Sequence, residues 1–155
     1  MPIRIENAAD HLELVPTFGR WHWGEWGHHD PSGSLESWTA GLRERTNRDA
    51  VPATFVAFEE AQPIGTALLV EHDMDTRLDL SPWLAGVFVL PAFRQRGVAS
   101  ALCRHAAAAA RSFGTSTLYL YTNGAEPVYE GLSWQRFARE PYEGRDVTLM
   151  RIDLR

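Results

Sequence analysis

The sequence predicts an α/β (α+β) protein, a mixed and mostly antiparallel central sheet flanked by helices, folded as one domain over residues 1–155. Three observations lead there. Residues 54–58 and 64–70 are apolar, β-favouring runs separated by a polar turn, as in an antiparallel pair. Residues 84–90 (LAGVFVL) are nearly continuous in apolar character, the mark of a strand covered on both faces. An alanine-rich amphipathic segment from Gly97 to Phe113 follows, closed by Gly114, and Leu118–Tyr121 then returns to strand character.

The remaining elements are placed by their end signals. Ile3-Arg4-Ile5 alternates as a short first strand. Asn7 can cap a helix that runs through Leu12, Leu14 and Val15 toward Trp23 or Trp26, with a break expected at Pro16. Gly27–Gly33 is a loop by composition, and Ser34 caps a second helix from Leu35 to about Arg48 with Leu35, Trp38 and Leu42 on one face. In the long helix the apolar stripe reads Val98, Ala101, Leu102, Ala106, Ala109 and Phe113, with Arg104 and Arg111 pointing away. A short helix around 125–132 and two strands, near 136–141 and 147–154, complete the chain.

The chain has 155 residues, 45% apolar and 23% charged, enough for one substantial core. Its net charge of −5 argues against nonspecific nucleic-acid binding, which needs a clustered positive field. No apolar run reaches the roughly 18 residues of a membrane span, and no signal peptide is visible. The single cysteine, Cys103, agrees with a reducing compartment, so a cytoplasmic location is expected, with no membrane partner and a monomer or homodimer.

The chemistry concentrates between Val87 and Leu102. A buried strand stops at Pro91, a basic turn follows, and Gly97 opens the long helix. A helix start offers amides without partners and the positive end of the macrodipole, and glycine lets a phosphate come close to the backbone. Arg94 and Arg96 add positive charge. Neither a Gly-x-Gly-x-x-Gly nor a Gly-x-x-x-x-Gly-Lys-Ser/Thr pattern is present, against a dinucleotide fold or a P-loop.

These residues resemble the GNAT N-acetyltransferase superfamily, whose Arg/Gln-x-x-Gly-x-Gly/Ala pattern is matched by Arg94-x-x-Gly97-x-Ala99 after Val89-x-Pro91. The resemblance implies an acyl-CoA N-acyltransferase fold, with the turn Arg94, Gln95, Arg96, Gly97, Val98, Ala99 and Ser100 gripping the pyrophosphate of acetyl-CoA. It also implies that the preceding strand splays from its neighbour to admit the pantetheine arm. Strand amides near Phe88 and Val89 are expected to polarise the thioester carbonyl. Downstream, Tyr129-Glu130-Gly131-Leu132-Ser133-Trp134 resembles the family's Tyr-Glu-x-x-Gly-Phe/Trp helix end, with Ser133 at the usual glycine, and Tyr129 is the expected general acid toward the CoA thiolate.

The expected reaction is direct attack by an acceptor amine in a ternary complex. The family often places a glutamate base on the fourth strand, but Leu84–Leu90 holds no acid, leaving Glu25, Asp73, Asp75 and Asp79 as substitutes. Their charge favours a cationic acceptor such as a polyamine, an aminoglycoside or a peptide N-terminus. Two other readings stay open: a catalytically silent acyl-CoA-binding module, and a metal-dependent hydrolase built on His22, His28 and His29. No metal is expected, because those histidines match no zinc-ligand spacing. Cys103 and His105, two apart on a helix, cannot form a dyad and are expected to pack against the sheet.

Overall fold

The computed structural model describes residues 2–155. Its strands are β1 (Ile3–Asn7), β2 (Ala53–Glu59), β3 (Gln62–Val70), β4 (Trp83–Val89), β5 (Thr117–Thr122), β6 (Gln135–Tyr142) and β7 (Arg145–Asp153). They form one sheet in the order β1-β2-β3-β4-β5-β7-β6, antiparallel throughout except between β4 and β5. The expected mixed, mostly antiparallel sheet is what forms.

Both sheet faces are covered. The helices α1 (Val15–Trp26) and α2 (Leu35–Arg43) lie on one face, where Phe18 and Leu42 pack with Val56, Leu68, Trp83 and Leu149. The helices α3 (Val98–Ser112) and α4 (Glu126–Glu130) lie on the other, where Leu102, Ala106 and Ala110 meet Phe55, Leu69 and Met150. The small alanines of α3 let it approach the sheet closely. Its stripe includes Cys103 and Ala110, both buried, while Ala101, Ala109 and Phe113 are only partly covered.

Local rules explain most boundaries. Ser34 and Ser37 exchange hydrogen bonds as a capping box that starts α2. Its end comes at Arg43, five residues before the expected one. The entry to α1 also differs from the expected helix starting at Asn7 and breaking at Pro16. Asn7 caps a single 3-10 turn through the Ala9 amide at 2.8 Å, a second 3-10 turn follows, and α1 begins only at Val15. Pro16 therefore sits in the first turn, where its missing N–H costs nothing, rather than breaking a helix.

At the exit of α4, Ser133 takes a left-handed φ of 76°. The Trp134 amide donates to the Tyr129 carbonyl at 3.0 Å and the Ser133 amide to Glu130 at 3.1 Å. This is a complete Schellman closure with serine in the position glycine usually takes.

Candidate active site

Two departures from a regular sheet create the site. The first is at β4 and β5, which pair in parallel at one register point only, Trp83 with Tyr119. Beyond it the strands diverge, so β4 from Leu84 onward has no neighbour on its β5 side. The gap widens toward the carboxyl ends of both strands, where α3 and α4 begin, the usual place for a ligand crevice beside parallel strands. The second is a β-bulge in β4. Leu68 pairs with Ala85 and Thr66 with Phe88, leaving one extra residue in β4, and Gly86 there has φ 57°.

The ladder also orients the edge. Leu90 donates its N–H to the Ile64 carbonyl at 2.9 Å, so by alternation Phe88 faces Thr66 on β3 while the Val89 backbone faces the open gap. Consistently, the Val89 carbonyl accepts from Arg94 Nε at 2.8 Å, a bond that pins the turn to the strand end.

The turn after β4 has the form required for anion binding. Gln95 and Gly97 both have positive φ, 62° and 78°. The amides of Val98, Ala99 and Ser100 open α3 without a side-chain cap, and no acidic side chain lies in its first turn. Arg94, Gln95, Arg96 and Gly97 are exposed, and a Cβ placed on Gly97 would meet no protein atom within 4 Å. The exposed turn thus leaves Gly97 open to a ligand.

A cavity of ≈ 880 Å³ passes through the gap between the two strands. Leu84–Val87 form its floor, His22, Glu25 and Trp38 border it from the α1–α2 face, and Tyr129 borders it from the opposite face. Phe88 stands beside it in an aromatic group with Trp21, His22 and Trp26, at centroid distances of 5.6, 6.4 and 6.3 Å. The four clustered tryptophans divide in role. Trp26 and Trp38 border the cavity, whereas Trp21 packs on Phe18 and Trp23 on Trp38.

Tyr129 is half-buried, and the Trp134 ring packs edge-on against it at 6.1 Å. Burial, with the Cys103 thiol beside it, holds its phenol above the usual tyrosine range. Burial also pushes the Cys103 thiol up to about 12. His22 is 4% exposed, and burial, reinforced by Arg45, lowers it to about 4. Asp73, half-buried at the cavity wall, is pushed up to about 6 by burial.

Of the four acids considered as bases, Glu25 and Asp73 border the cavity. Asp79 instead pairs with Arg77 at 3.1 Å. Among the described residues no three His, Cys, Asp or Glu side chains converge on a metal-binding geometry. The rings of His28 and His29 stack on each other at 4.0 Å while His22 turns inward to Thr66, so the three do not gather. Cys103 packs on the sheet as expected; His105 is exposed and touches Phe55 edge-on at 5.1 Å. The feature that residue patterns miss is the inward His22, because its partner Thr66 lies 44 residues away.

A helix start free of caps lies beside the unpaired edge of a strand that leads into a two-sided cavity, a geometry suited to a long phosphate-bearing ligand. The chain belongs to the acetyltransferase (GNAT) family, whose model matches residues 15–132. Its sequence is 43% identical over 67 residues to an aminoglycoside N(6')-acetyltransferase type 1 of Salmonella typhimurium. That match spans 41% of this chain and 43% of the relative, less than half the length of either. The fold is shared with yncA from Salmonella typhimurium, solved with its cofactor acetyl-CoA, at TM-score 0.73 and 18% identity over 99% of this chain and 94% of that one. It is also shared with an aminoglycoside 6'-N-acetyltransferase complexed with coenzyme A, at TM-score 0.77 and 13% identity over 99% and 97% of the two chains.

Proposed function

We propose that the protein transfers the acetyl group of acetyl-CoA to an amine of a cationic small molecule, by direct attack in a ternary complex. The observation that carries this reading is the unpaired β4 edge, running from the uncapped start of α3 into the cavity. In this reading the amides of Val98, Ala99 and Ser100, with Gly97 and the side chains of Arg94 and Arg96, hold the pyrophosphate. The pantetheine arm extends along the open edge past Val89, hydrogen-bonding outward-facing backbone much as a missing strand would. The thioester then lies in the gap, where a strand amide can polarise its carbonyl oxygen.

The amine lone pair attacks the carbonyl carbon, the oxygen takes the π electrons, and their return expels the thiolate. Tyr129 donates its phenolic proton to that sulfur. A phenol with a reference pKa of about 10 can donate to a thiolate whose thiol lies at about 8.5 at a cost of about 2 kcal/mol, less than a positioned acid contributes. Burial keeps the Tyr129 phenol protonated at neutral pH, with its proton in place.

The acceptor class rests on the cavity and on the sequence relative. Glu25, Asp30, Asp73 and Glu143 border the cavity against only Arg45 and Arg145, an excess of acid that favours an ammonium-bearing ligand. Trp26 and Trp38 add flat apolar walls. An aminoglycoside carries both features, several ammonium groups on ring faces that stack on indoles, and it is the acceptor named for the sequence relative. The test is free-thiol release from acetyl-CoA with aminoglycosides, polyamines and peptide N-termini supplied in turn. Release above hydrolysis with aminoglycosides is expected. Release only with peptides overturns the acceptor class, and none with any amine overturns transferase activity.

A further inference from the structure

His22 projects from α1 into the cavity, and its surroundings specify the state of its ring. Its Nε2 lies 2.8 Å from Thr66 Oγ1, and that hydroxyl donates to the Gly86 carbonyl at 3.0 Å. With its only hydrogen committed to Gly86, Thr66 must accept from His22, so the proton of the neutral ring sits on Nε2. Nδ1 then carries the lone pair. It has no partner among the described residues, yet no unpartnered polar atom of a buried side chain is sealed from the surface. His22 borders the cavity, and with Nε2 held by Thr66, Nδ1 is the ring nitrogen left to serve a ligand there.

This position is chemically pointed. The His22 ring abuts the β4 bulge, with Cε1 3.3 Å from where a Cβ on Gly86 would stand. His22 and Tyr129 therefore border one gap from opposite faces of the sheet. The acid expected at the fourth strand is absent, and Glu25 is drawn toward Arg94 at 4.0 Å.

We propose that His22 Nδ1 is the general base that takes the surplus proton of the acceptor amine, with Thr66 and the Gly86 carbonyl fixing its tautomer; this rests on the acetyltransferase reading above. The nitrogen–carbon bond forms first, which leaves a positively charged, strongly acidic nitrogen. One N–H proton passes to Nδ1 as the carbon–sulfur bond breaks, while the Tyr129 proton goes to sulfur. The imidazolium and the phenolate are then reset through solvent in the cavity.

A base of this kind cannot deprotonate a free ammonium ion, but it need not. Buried beside Phe88 and Trp26, with Arg45 the charge acting on it, the ring stays neutral at physiological pH and ready to accept. Amine attack and proton loss are thereby separated. The acid limb of the rate profile then follows the acceptor's own ammonium, not His22.

Two measurements on the full chain test the assignment. Nitrogen NMR of histidine-labelled protein should show His22 neutral, protonated at Nε2 and bare at Nδ1 between pH 6 and 8. The His22→Gln variant can keep a donor to Thr66 while removing the Nδ1 lone pair. It should bind acetyl-CoA as wild type by calorimetry and lose about 10²- to 10³-fold in kcat, with KM for the amine little changed. A proton on Nδ1 at neutral pH overturns the assignment whatever the activity. A wild-type kcat in folded His22→Gln overturns it alone, leaving the transferase reading intact, whereas no thiol release by wild type with any amine overturns both.

Discussion

Replacing Thr66 by valine removes one buried hydroxyl and almost no volume, which makes it a sharp probe of the layer beneath β4. Thr66 is fully buried, and its hydroxyl is the only link between His22 and the bulge carbonyl of Gly86. Without it, a buried imidazole N–H loses its acceptor, costing about 1–3 kcal/mol, and the Gly86 carbonyl loses a bond worth about 0.5–1.5 kcal/mol. The added methyl returns about 0.8 kcal/mol. The net loss should be about 1–4 kcal/mol, centred near 2. For a chain of this size it lowers Tm by roughly 2–15 °C. Urea denaturation with matched m-values is the assay, and Thr66→Ser is the control. Serine keeps the hydroxyl and forfeits only a methyl, about 1 kcal/mol. Thr66→Val as stable as Thr66→Ser would refute the account of His22 as a ring held by this hydroxyl.

Three further outcomes are expected. Gly97→Val places a β-branched residue at φ 78°, costing about 1–2 kcal/mol in backbone strain, and should abolish acetyl-CoA binding by calorimetry because its side chain occupies the anion's approach. Tyr129→Phe should leave acetyl-CoA affinity nearly unchanged and lower turnover about 10²-fold or more, with a smaller loss for an acyl donor whose thiol is more acidic; wild-type turnover when chemistry is rate-limiting would make Tyr129 a packing residue. His22 ties stability to pH. Between about 4 and the ordinary 6.5 the unfolded chain holds a proton that the folded ring rejects, so stability falls on acidification through that window, by on the order of 3 kcal/mol. Asp73, raised from 3.8 to about 6, acts oppositely, since the folded chain takes its proton first. Denaturation at stepped pH should therefore show a steeper acid loss in Asp73→Asn than in wild type, and a shallower one in His22→Gln.

How much of this was legible in the residues divides by range. The β2–β3 pair, β4 and α3 follow from periodicity and end signals a few residues apart, and so does the amide-rich turn at Gly97. Ser133 was readable as a helix exit lacking glycine, and its φ of 76° shows the backbone making that exit regardless. Pro16 misled because a proline inside an apolar run reads as a break, whereas two 3-10 turns shift the true helix start onto it. The bulge at Gly86 was hidden in a run whose apolar character is unbroken. His22 was hidden more deeply. Beside His28 and His29 it resembles part of a metal cluster, and only the packing of α1 on the sheet reveals its hydroxyl partner. The acceptor class proposed above rests on Glu25, Asp30, Trp26, Trp38, Asp73 and Glu143, which lie far apart in sequence and meet only in the folded chain.

The most direct test of the central claim follows both products of one reaction. Purified protein is incubated with acetyl-CoA and an aminoglycoside, and free thiol and the mass of the acceptor are measured over time. The account predicts protein-dependent thiol release matched one for one by an acceptor heavier by a single acetyl group, with neither product when the amine is omitted. Tight acetyl-CoA binding with no acetylated product from aminoglycosides, polyamines or peptide N-termini would contradict it, and would leave the protein a silent acyl-CoA-binding module.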